Sequence, residues 1–62
     1  MKYEDVKLYF GSFYRMRKET GIADSTSQRW KKMGYIPITA QIKLEKLTNG
    51  GLKASLDDIP KN

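Results

Sequence analysis

The stretch Phe13–Trp30, FYRMRKETGIADSTSQRW, decides how this chain folds. Gly21 sits near its middle, and glycine adopts a positive φ without the clash that a Cβ would bring. Ser12, just before the stretch, is a good helix N-cap. The spacing predicts two short helices joined by a tight turn at Gly21. In the first, Phe13 and Met16, continued by Thr20, form the apolar face, while Arg15, Lys18 and Glu19 point outward. The second starts near Asp24 and runs to Lys32 or Met33. With Asp24 at the origin, Gln28, Lys32, Ser25 and Arg29 fall within an arc of about 140°. Met33, Thr26 and Trp30 fall on the other side, at roughly 180–240°. One face is polar and hydrogen-bonding, and the other carries an aromatic anchor that belongs to the core.

Working outward, glycines and prolines punctuate the chain at Gly11, Gly21, Gly34, Pro37, Gly50, Gly51 and Pro60. Before Gly11, residues Tyr3 to Phe10 place Tyr3, Val6, Tyr9 and Phe10 in one arc, with Glu4 and Asp5 in the first turn where the helix dipole favours acids. After Pro37, Thr39 is a candidate cap, and Ala40, Leu44 and Leu47 form one stripe. Asn49-Gly50-Gly51 supplies left-handed residues that end a helix. The rival reading, a type I′ hairpin turn between KLT and GLK, is less favoured because the preceding stripe has helical period. The expectation is all-α: a compact bundle of four to five short helices over about 3–10, 12–20, 24–33 and 39–48. A tail, 52–62, packs through Leu52, Leu56 and Ile59.

Sixty-two residues make one small domain, near the lower limit for folding without staples. With no cysteine and no histidine, disulfides, thiolate metal sites and the commonest general base are excluded. The acids are scattered and form no acid/base pair or metal cluster, so neither an enzyme nor a cofactor or small-molecule ligand is expected. No apolar run approaches the roughly 20 residues that span a bilayer, and MKYEDV has acids where a signal peptide is apolar. Together these predict a soluble, cytoplasmic protein with no membrane partner.

The net charge is +5, and four of those charges fall between Arg15 and Lys32, six basic residues against Glu19 and Asp24. That balance favours a polyanionic partner. Combined with the turn and the polar face, it suits a helix-turn-helix whose second helix lies in the DNA major groove. Arg29 is the first choice for base readout, since a guanidinium donates twice to O6 and N7 of guanine. Gln28 pairs similarly with adenine, Asp24 accepts from cytosine N4 or caps its own helix, and Ser25 suits several bases or a phosphate. Arg15, Lys18, Lys31 and Lys32 are candidate phosphate contacts, and Ser12 with the free amides behind it is another. Tyr14 and Tyr35 are hydroxyl contacts or ordinary tyrosines. Ile38 and Ile42, four apart with Ile42 opposite the stripe, form either a subunit contact or a surface buried under the tail.

These residues resemble the Cro repressors of lambdoid phages, especially the all-helical members. The resemblance covers roughly residues 3 to 53. YFGS at Tyr9–Ser12, Gly21-Ile22, Gln28-x-Trp30, Ile36-Pro37, Leu44-Glu45 and Thr48 through Leu52-Lys53 fall at matching spacing. It implies a lambda-repressor-like DNA-binding domain and a small transcriptional repressor, dimeric on a pseudo-palindromic operator of double-stranded DNA, working in the cytoplasm of a bacterial host. Asp24, Ser25, Gln28 and Arg29 are the base-facing positions it implies. A homodimer on DNA is expected, with a free monomer left open. Three positions depart from the pattern: Arg17 stands where a small residue usually lets two helices touch, and Thr20 and Ser27 where larger apolar residues pack. The departures predict a loosened core, and Arg17 must reach solvent or find a partner. Two other classes stand beside the repressor. One is a small protein-interaction module of antirepressor type, the other an architectural DNA-binding protein without sequence preference.

Overall fold

Helices of 8 to 10 residues are too short to persist alone in water, so those in this chain exist because they bury one another's apolar positions. A computed structural model describes residues 1–60. It contains α1 (Tyr3–Phe10), α2 (Phe13–Thr20), α3 (Asp24–Met33) and α4 (Ile38–Leu47), followed by a 3-10 turn at Leu56–Asp58. Among the described residues there is no strand, so the segment around Asn49-Gly50 is a helix end and not a hairpin. Asn49 and Gly50 adopt positive φ of 52° and 84°, and Gly50 N–H reaches back to Glu45 O at 2.9 Å. The last two residues of the expected tail lie outside the described residues.

Each helix turns a narrow strip inward. Val6 and Phe10 come from α1, Met16 from α2, Ser27 and Trp30 from α3, and Gln41 and Leu44 from α4. Met1, Ile22, Ile36 and Leu52, from the segments between and beyond the helices, complete the core. Tyr3, Phe13 and Ala40 pack against it half-buried.

Four details differ from the sequence expectation. First, α4 starts at Ile38, one residue early, with Pro37 as the flanking residue; Thr39 lies inside the helix and caps nothing. Proline supplies the entry geometry by its fixed φ, −54° here, in place of a side-chain cap. Second, the stripe ends at Leu44, and Leu47 is 48% exposed. It borders a groove lined by Tyr9, Phe10, Glu19 and Thr20 and stays at the surface. Third, in the tail Leu52 is buried and Ile59 half-buried, but Leu56 is 69% exposed. Its 3-10 turn is organised instead by Ser55 Oγ, which accepts from the Asp57 amide at 3.3 Å. Fourth, Tyr9 and Met33 sit at the margins of their apolar arcs and are exposed.

Gln41 is fully buried, and hydropathy reading passes over it as polar. Its Nε2 donates to Ile36 O at 2.8 Å, while Oε1 accepts from the Met1 amino group at 2.7 Å and the Ser55 amide at 2.8 Å. The Met1 amino group also pairs with Asp58 Oδ2 at 2.8 Å. One side chain thus ties the start of α1, the α3–α4 connection and the tail to the middle of α4.

Candidate nucleic-acid interface

The α2–α3 unit is set by local chemistry. Ser12 Oγ accepts from the Arg15 amide at 3.2 Å, capping α2. Gly21 ends the helix at φ 75°, and its amide donates to Arg17 O at 2.8 Å. Thr20, polar at a position where an apolar residue was expected, closes the turn from inside. Its hydroxyl donates to Met16 O at 2.6 Å and accepts from the Ile22 amide at 3.1 Å. That pair of bonds satisfies a half-buried hydroxyl and directs Ile22 into the core. Ser27, another such position, is fully buried on α3, and its Oγ lies 3.9 Å from Met16 Sδ, a weak acceptor.

With Ser27 and Trp30 anchoring α3 inward, the opposite side faces solvent. Ser25, Gln28, Arg29, Lys31 and Lys32 are all exposed, and Asp24 is half-buried. On α2 and its cap, Ser12, Arg15 and Lys18 are exposed as well. Gln28, Lys31 and Lys32 come together with Tyr3 and Phe13 around a cleft of about 500 Å³ joining α1, α2 and α3. Lys7 lies over the Phe13 ring at 6.0 Å, adding a cation near this side. Lys31 and Lys32 stand in the last turn of α3, where the helix dipole favours cations, and Asp24 stands in the first, where it favours an anion.

Of the two subunit-contact candidates, Ile42 is exposed, whereas Ile38 is half-buried in the first turn of α4. Tyr14 is exposed and Tyr35 half-buried.

The sequence left two details open, the fate of the Tyr3 hydroxyl and the identity of the partner that Arg17 needs. The Tyr3 hydroxyl is enclosed and has no hydrogen-bond partner, and burial, helped by the Glu4 carboxylate, raises its pKa above the usual tyrosine value. Across the turn, Arg17 Nη1 donates to Asp24 Oδ2 at 3.2 Å, and the guanidinium carbon lies 5.8 Å from the Tyr14 ring centroid. Arg17 therefore both reaches solvent and finds a partner. Opposite charges seven residues apart on the two sides of Gly21 were the signal that would have found this pair. No candidate metal-ligand group of three or more acids exists among the described residues, and no described helix is long and apolar enough to cross a membrane. No protein family, curated protein or solved structure matches the chain.

Proposed function

We propose that this protein is a sequence-specific DNA-binding repressor of Cro type, built on a helix-turn-helix in which α3 lies in the major groove. The observation that carries the reading is the division of α3. Ser27 and Trp30 are buried, while Ser25, Gln28, Arg29 and Lys32 form an exposed polar face on a chain of net charge +5. Arg29 and Gln28 suit bidentate base contacts, and Ser25 suits a base or a phosphate. Asp24 belongs to the same end of the helix. Lys31, Lys32, Arg15, Lys18 and Ser12 suit the backbone contacts that set register. Two copies occupying half-sites about one helical turn apart would block polymerase from the operator. Ile42, with the edge of Ile38, is the candidate contact between them.

Selection from a pool of random duplexes, repeated at two salt concentrations, tests this. Enrichment of a palindrome with strong salt dependence supports the repressor. Binding with a flat pool points to an architectural protein. Absence of binding points to the second reading, a protein-interaction module. That reading is favoured by the exposed Leu8, Tyr9 and Leu47, where grooves meet on both sides of Tyr9.

A further inference from the structure

The geometry points to Arg17 as the group that reads a base at the head of α3, with Asp24 and Tyr14 as its positioning residues. This rests on the DNA-binding reading above and changes the role of one end of the interface. Arg17 is in the last turn of α2 and Asp24 is the first residue of α3, so their pairing places the guanidinium beside the first turn of α3. The N-terminal turn of a recognition helix is the part that approaches base edges.

The carboxylate is poorly placed to act alone. Asp24 Oδ2 is held by Arg17, and Oδ1 is enclosed without a partner, so neither oxygen is presented to a cytosine amino group. A bare carboxylate would also be repelled by the phosphates, and pairing it removes that penalty. Arg17, by contrast, has five N–H donors, of which Asp24 takes one. One N–H of the fork is held by the carboxylate and the guanidinium carbon lies 5.8 Å from the Tyr14 ring centroid, two contacts that reduce the freedom lost when it binds. The two side chains are 52% and 48% exposed, and ion pairs so exposed contribute little to folding. What the arrangement supplies is direction: a planar donor pair suited to O6 and N7 of guanine.

Duplex selection with wild type, Arg17→Ala, Arg17→Lys and Asp24→Asn separates the possibilities, with circular dichroism melts confirming that each variant folds. Arg17→Ala is expected to lower the guanine preference at one position by roughly five- to a hundredfold while the position read by Arg29 keeps its preference. Arg17→Lys, which retains the charge and serves if the alanine variant does not fold, should bind well but lose most of that preference. Asp24→Asn should weaken the same preference by a smaller factor without changing the favoured base. The inference is overturned if Asp24→Asn abolishes the preference while Arg17→Ala keeps it. It also fails if Arg17→Ala weakens all sequences equally, the behaviour of a phosphate contact. A flat wild-type pool removes the sequence-specific reading and this inference together, whereas an enriched pool unchanged by Arg17→Ala removes the inference alone.

Discussion

Two polar clusters divide this molecule. Around Gln41, polar groups turn inward and satisfy one another: a buried amide, the Met1 amino group, the Ser55 amide and Ile36 O, with Asp58 on the far side of the amino group. Along α3, polar groups turn outward, and Ser25, Gln28, Arg29, Lys31 and Lys32 stand exposed. The first cluster is closed, because both polar atoms of the Gln41 amide have partners within the chain. The second is open, and its donors find partners in water or in a ligand. Closed polar groups hold a fold together, while open ones on a rigid helix are free to recognise something else.

The largest test of this contrast is Gln41→Leu. It removes one amide, strands the Ser55 amide and Ile36 O and leaves the Met1 amino group with Asp58 alone, so the expected loss is about 3 kcal/mol of stability, read from the urea midpoint. Preference among DNA sequences should be unchanged in the fraction that stays folded. The mirror experiment is Arg29→Ala. Stability should move by less than about 0.5 kcal/mol, while selection from random duplexes should lose about 2 kcal/mol of discrimination at one base pair. A large drop in melting temperature with intact preference would reverse the assignment of the two clusters. Lys32→Ala, on the same face, should weaken all duplexes alike and lower the salt slope by about one unit.

Smaller effects sharpen the boundary between open and closed. Ser12→Ala removes the α2 cap and should cost about 1 kcal/mol in a thermal melt. Tyr3→Phe deletes a hydroxyl that is enclosed without a partner, so it should be neutral or stabilise by under about 1 kcal/mol. The same hydroxyl makes stability sensitive to alkali. Its folded pKa is raised, so its ionisation leaves stability unchanged below about pH 10, and stability declines as pH rises from there through the folded value. Tyr3→Phe should flatten that decline in denaturation curves collected across the alkaline range.

Most of the architecture was visible in the residues themselves. Gly11, Gly21 and Gly34 end α1, α2 and α3 in left-handed geometry, and the boundaries of those helices follow from them. Trp30 as an inward anchor and Ser25, Gln28, Arg29 and Lys32 as an outward face followed from angular position alone. What could not be read depended on contacts between distant residues. Gln41 is polar, and no local periodicity announces that partners 40 and 14 residues away will enclose it. Leu47 and Leu56 have the composition of core residues, but nothing in a short, aperiodic tail covers them. The Arg17–Asp24 pair was legible only as two opposite charges flanking Gly21, and the geometry of the turn decides that they meet. Thr20 and Ser27 were read by size alone, and size does not announce the bonds that the Thr20 hydroxyl makes to Met16 O and the Ile22 amide.

Gly51 carries a further consequence, for mutational tolerance. A Cβ there would lie 2.7 Å from Tyr9 Cε2, although the residue needs no left-handed backbone. The constraint is contact alone, and the ring it meets is half-exposed, with Phe10 packed against its edge. Alanine at 51 should therefore be accepted by a rotation of Tyr9 about its side-chain bonds, visible as altered tyrosine fluorescence or ring chemical shifts with little change in melting temperature. The loop after α4 would then report on the surface of α1 without disturbing the helices between.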